Sequence, residues 1–191
     1  MTFRTVLLNE WQIIVSGVKL NYHPGWAMAA AFEYRQAHEL REAFARWRVR
    51  YLFIGKSAAI LLGFPDTTQD VDLFPLRSPE NGQALVEALR ELGFSLTDQE
   101  AKEIVQGKDF IQLKNGPFDV DLVFAPDGIE SFSEAWQRHL EVEGFPVCHP
   151  DDIIASKLSA NRIKDRETLP RLIAFRDYWM RMKNNRQDDE E

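Results

Sequence analysis

Phe53-Ile-Gly-Lys-Ser-Ala-Ala-Ile-Leu-Leu-Gly-Phe-Pro-Asp-Thr-Thr-Gln-Asp-Val-Asp-Leu-Phe74 is read as an apolar strand, a glycine turn, a short apolar helix ended by Gly63, and a second strand carrying Asp70 and Asp72. Side chains two apart on a strand point to the same face. Two carboxylates that close repel each other unless a positive charge lies between them. A hard divalent cation, Mg2+ or Mn2+, supplies that charge to carboxylate oxygens. Downstream, Phe118-Asp-Val-Asp-Leu-Val-Phe124 repeats the arrangement with Asp119 and Asp121. Acids from two apolar strands behind a glycine turn imply metal-assisted phosphoryl or nucleotidyl transfer.

This run resembles the signature of the DNA polymerase β-like nucleotidyltransferase superfamily. That signature is a Gly-Gly or Gly-Ser turn, a spacer, Asp-x-Asp, and a third acid on a later strand. It is most similar to the small stand-alone bacterial nucleotidyltransferases of the abortive-infection toxin type, through Gly55, Ala58, Gly63, Pro65, Thr67 or Thr68, Asp70, Asp72 and Leu73. A second block, Pro150 to Asp165, resembles the helix these proteins carry after the sheet, through Lys157, Arg162 and Asp165. The likeness covers roughly residues 50 to 175, in order. It implies an α+β domain with a mixed β-sheet, packed helices and a C-terminal helical hairpin.

The resemblance also implies a reaction, the transfer of a nucleoside monophosphate from an NTP to a hydroxyl of a tRNA, a protein or a small molecule. Asp70, Asp72 and Asp121 would be the catalytic and metal-binding acids. Gly55, Lys56, Ser57 and Lys157 would bind the nucleotide, and an antitoxin protein would be the partner. Asp119 shares the face of Asp121, which fits the Asp-Leu pattern better. The chain departs from the family twice. Lys56 stands where a second Gly or a Ser is usual, and Asp66 where an Arg often precedes the Thr. A non-catalytic nucleotide-binding or regulatory module on the same fold is therefore the alternative reading.

Single residues also admit plainer roles. Gly55 serves equally as a simple turn after a strand. Lys157 could be an ordinary helical lysine, and Arg162 and Asp165 could form a structural salt bridge at a helix junction. The four histidines are scattered without ligand spacing, and Ser57 lacks the flanking glycines of a hydrolytic nucleophile.

With 191 residues, 45% hydrophobic and 28% charged, the chain fits one soluble cytoplasmic domain. No apolar run is long enough to span a bilayer, and the N-terminus carries no signal-peptide pattern. Cys148 is the only cysteine, which excludes an intrachain disulfide and a cysteine-based zinc site. The net charge of −7 argues against non-specific nucleic-acid binding. From Lys157 to Arg186, however, nine Lys or Arg face three acids. That basic segment could hold phosphates or form a solvated helical face.

The expected organisation is an N-terminal extension over 1–27, a nucleotidyltransferase-like domain over 28–183 and an acidic tail over 184–191. Short strands are read at Val6 to Leu8 and Gln12 to Val15. Periodicity predicts helices over 30–47 and 57–62, and a strand over 49–54. Ser78-Pro79 opens a helix that buries Leu85, Leu89 and Leu92 and stops at Gly93. Phe110 to Leu113 and Phe118 to Phe124, with Asn115-Gly116 between, read as a hairpin. Pro150 starts a helix, and 166–183 form the last one, kinked or restarted at Pro170.

Overall fold

The computed structural model describes the backbone of residues 13–15, 18–20 and 32–188, with side chains from 32 to 182. Val6 to Leu8 and residues 189–191 lie outside the described residues. Residues 1–30 form one compact unit and 31–191 another. In the first, β1 (Ile13–Val15) and β2 (Val18–Leu20) pair antiparallel.

The second unit is built on a six-stranded mixed sheet of β3 (Tyr51–Phe53), β4 (Asp70–Pro75), β5 (Phe110–Leu113), β6 (Asp119–Val123), β7 (Leu140–Val142) and β8 (Phe145–Val147), in the order β5-β6-β4-β3-β8-β7. β4 runs parallel to β6, and β3 runs parallel to β8. The other pairs are antiparallel. Helices α1 (Tyr34–Arg46), α2 (Gly55–Leu61), α3 (Pro79–Glu91), α4 (Asp98–Gln106), α5 (Phe132–Arg138), α6 (Pro150–Ala160) and α7 (Ile163–Asp188) complete an α+β architecture in which α6 and α7 pack as a C-terminal hairpin.

Local chemistry accounts for most of these boundaries. Ser78 caps α3 by accepting from the Asn81 N–H, and Pro79 fills the first helical position. α1 buries Leu40, Ala43 and Phe44 completely. Trp47, the last residue of the helix expected over 30–47, is instead the C-cap residue, 41% exposed, and its indole donates to Glu91. Leu92, expected in the core, lies past the end of α3 and is only partly buried.

Two further expectations need correction. The last helix starts at Ile163 and passes through Pro170 without restarting. Burial of Leu169 and Leu172 anchors that stretch where the proline removes one backbone hydrogen bond. The segment expected as a tail is helical as far as Asp188. The β5–β6 connection takes residues 114–118, and Gly116 is required by packing, since a Cβ there would meet the Phe94 ring.

Candidate active site

Parallel pairing of β4 and β6 sets Asp70 opposite Asp119 and Asp72 opposite Asp121. All four carboxylates therefore stand on one face of the sheet. Asp70, Asp72 and Asp121 converge, each offering an oxygen within 4.8 Å of the others, and Asp119 lies outside that group. Three carboxylates are a hard-cation donor set, and the residues fit a bound divalent cation. Thr68 donates to Asp70 Oδ1 at 2.8 Å, and Gln112 on β5 donates to Asp121 Oδ1 at 3.1 Å.

The glycine turn is devoted to Asp72. The Ile54 N–H donates to the Asp72 carbonyl at 3.0 Å, and the Ser57 hydroxyl accepts from the Asp72 N–H at 3.1 Å while donating to the Ile54 carbonyl. The Lys56 N–H bonds the Asp72 carboxylate itself. Gly55 has φ +63° and leaves no room for a side chain against that carboxylate. Ser57 is fully buried, and its hydroxyl is used within the fold. It does not line the cleft described below.

Burial and the facing charges of Asp70 and Asp121 push the Asp72 carboxyl up to about 7. Burial also raises Asp121, against the hydrogen bond from Gln112. A carboxylate with its ionised form this disfavoured gains most from a bound cation.

The acids open into a cleft of about 380 Å³, also lined by Lys157 of α6, Lys164 of α7 and Arg162 in the link between them. Lys157 is only 9% exposed and donates to the fully buried Asp165 at 3.1 Å; Arg162 binds the other oxygen of Asp165 at 2.6 Å. Burial raises Asp165, but the hydrogen bonds from Arg162 and Lys157 outweigh it and hold the carboxyl below its ordinary value. The structural salt bridge of Arg162 and Asp165 at the helix junction is present, and Lys157 is not an ordinary surface lysine, since it joins that buried pair and lines the cleft.

Lys56 also lines the cleft, and its ammonium lies 3.7 Å from Asp66. Asp66 is bound by Arg171 at 3.3 Å and caps the Thr67 N–H. It is not among the residues that line the cleft. Gln112 and Lys164 were not singled out from the sequence, and of Thr67 and Thr68 it is Thr68 that meets Asp70. Gln112 follows from the β5–β6 register once the hairpin is placed, since it stands opposite Asp121.

No protein-family model matches the chain, and no curated protein matches it in sequence. Among solved structures, a crystal structure named as a candidate nucleotidyltransferase from Thermotoga maritima is similar at 18% identity, covering 74% of this chain and 92% of that one, with a TM-score of 0.47. A likeness this distant assigns neither family nor activity, and the reading of the site rests on the geometry above. Among the described residues, no helix is long and apolar enough to cross a membrane.

Proposed function

We propose that the chain is a metal-dependent nucleotidyltransferase that moves a nucleoside monophosphate from an NTP to a hydroxyl of an RNA, a protein or a small molecule. The observation that carries this reading is the convergence of Asp70, Asp72 and Asp121 at a cleft whose other wall bears Lys157, Arg162 and Lys164. Acids alone would suit a cation store. Acids facing cations across a cleft suit a triphosphate bridged to the protein from both sides.

Asp70, Asp72 and Asp121 would hold Mg2+ or Mn2+, with Asp121 on the acceptor side. The cation supplies positive charge to offset what gathers on the α-phosphate during transfer. Lys157, held in place by Asp165, meets the phosphates as a fixed ammonium. Lys56 reaches them from the turn as a second point charge. The turn amide of Lys56 bonds Asp72, so the Gly55 turn acts through this acid. The non-catalytic alternative draws on Lys56 and Asp66; pairing of Asp66 with Arg171 and Lys56 weakens its second support, the repulsion of a triphosphate by Asp66.

The toxin role, with an antitoxin partner, is carried by the motif resemblance. Its test is growth arrest on expression, relieved by co-expression of a neighbouring gene product. The transferase reading is tested by thermal shift with NTPs and Mg2+, followed by pyrophosphate release with total RNA. Stabilisation only when both are present, lost in Asp70→Asn and Asp72→Asn variants that remain folded, is the expected result. Stabilisation by NTP without metal, unaffected by these variants, would overturn it.

A further inference from the structure

Besides its carboxylate group the cleft has an apolar stretch at Phe110, Val123, Ala125 and Pro126, flanked by Asp109 and Asp127. On β6 the carboxylate face continues past Asp121 to Val123, and both line the cleft, as does Ala125 just beyond the strand. On the edge strand β5, Gln112 stands opposite Asp121 and Phe110 opposite Val123. Phe110 is therefore on the same face as the acids, one row further along. The strand rise places that row about 7 Å from the carboxylate row. This step is of the size of the sugar that joins a phosphate to its base.

Phe110 is 50% exposed, although it is an aromatic residue inside a strand next to a core of buried side chains. Among the described residues no other ring is recorded against it. The start of β5 beside it is tied to β6 by the Phe124 N–H, which donates to the Asp109 carbonyl at 2.9 Å. A half-exposed ring on the cleft lining presents a flat apolar face to a ligand.

We propose that Phe110 is the platform on which a nucleobase stacks while the phosphates attached to it occupy the Asp70–Asp72–Asp121 end of the cleft. The inference rests on the nucleotidyl-transfer reading and adds to it a base-binding residue. Stacking tolerates every base, so this platform confers preference for a nucleotide over a bare polyphosphate without selecting one NTP. The base is therefore that of the donor NTP, and experiment separates it from the base at the end of an RNA acceptor.

Isothermal titration of the full chain with Mg2+ would use three probes: a non-hydrolysable NTP, inorganic tripolyphosphate, and a short single-stranded RNA. Phe110→Ala should weaken NTP binding about ten-fold, the typical worth of one base–aromatic stack, and leave tripolyphosphate binding unchanged. Phe110→Trp should restore NTP affinity, whereas Phe110→Leu, which preserves an apolar side chain and keeps the strand covered, should not. Loss confined to the RNA probe would move the platform to the acceptor and overturn its assignment to the donor base. Equal losses for NTP and tripolyphosphate, or no loss with any probe, would overturn the inference while the cleft reading stands. If the wild type binds neither NTP nor tripolyphosphate with Mg2+, the cleft reading falls and this inference with it.

Discussion

A Cβ on Gly55 would lie 2.7 Å from Asp72 Cγ and closer still to its carboxylate oxygen. The turn and the acid therefore occupy one continuous space, and glycine is the residue that leaves room for both. Gly55 also sits at φ +63°, where a side chain costs about 1–2 kcal/mol. Gly55→Ala should lower stability by about 3 kcal/mol, combining that cost with overpacking against Asp72. Mg2+ affinity should fall more steeply than stability, because the displaced group is a proposed ligand. Chemical denaturation and a Mg2+ titration of the same variant would check this. An unchanged Mg2+ affinity in a destabilised protein would detach Asp72 from the metal.

The raised carboxyl of Asp72 makes the metal-free protein sensitive to pH. In the unfolded chain the group ionises near ~3.9, and in the fold at about 7. Between these values the folded state holds a proton that the unfolded state has lost, so stability falls as pH rises from about 4 to about 7 and then levels off. Cation binding runs the other way: Mg2+ affinity should strengthen through the same window, with release of a proton. Asp72→Asn should flatten the stability profile and raise the melting temperature at pH 8. Melting curves across pH, with and without EDTA, measure both effects. A wild type whose metal-free stability rises through this window would contradict the assignment.

These two predictions concern the stretch where the sequence is most legible, and the reason is physical. Asp-x-Asp alternation, the turn glycine and the Ser78-Pro79 cap are local signals, each fixed by one or two backbone angles. What escaped sequence reading depends on partners distant in the chain. α4 is announced by a capping box, Thr97 with Glu100, yet buries only Ile104 completely, so its apolar stripe is weak. β7 and β8 turn at Glu143-Gly144, both with positive φ, and the alternation Leu140, Val142, Phe145, Val147 was there to be read. The parallel pairing of β8 with β3 has no local signature at all. Likewise Asp66 looked like a misplaced charge until Arg171, 105 residues away, was brought against it.

That pairing changes what substitution at Asp66 should do. Before the contact is known, Asp66→Arg reads as harmless to nucleotide binding or helpful. In the fold it would bring a third cation against Lys56 and Arg171 and leave the Thr67 N–H without its acceptor. Because Arg171 is well exposed, the pair itself is worth little, ~0.5–1 kcal/mol. Repulsion adds to the loss, so Asp66→Arg should destabilise by about 1–2 kcal/mol. Asp66→Asn, which keeps an oxygen for Thr67, should cost less than half of that. Lys56→Ala should weaken nucleotide binding about ten-fold, the size of one charge-assisted hydrogen bond of ~1.5 kcal/mol. Denaturation curves settle the first two, and titration with a non-hydrolysable NTP the third. An Asp66→Arg protein as stable as the wild type would show that the Arg171 contact does not hold the loop.

Lys157 and Asp165 form a buried pair with unequal alternatives, and the inequality is measurable. Asp165 has a second partner in Arg162, whereas Lys157 has no other ion-pair partner among the described residues. Asp165→Ala should therefore cost about 3–5 kcal/mol, the range for stranding a buried charge. Lys157→Ala leaves Asp165 still held by Arg162 and should cost about 1–2 kcal/mol, closer to a single lost hydrogen bond. The double variant should be less destabilised than the sum of the two, since its second substitution removes the charge stranded by the first. Nucleotide affinity should follow a different order. Lys157→Ala removes the ammonium that faces the phosphates and should weaken NTP binding about ten-fold. Asp165→Asn keeps the ammonium but loosens its position, and should weaken binding less. A double-mutant cycle in stability, with nucleotide titration on the folded variants, tests both orders. If Lys157→Ala loses stability but binds NTP as tightly as the wild type, Lys157 is a structural lysine that happens to border the cleft.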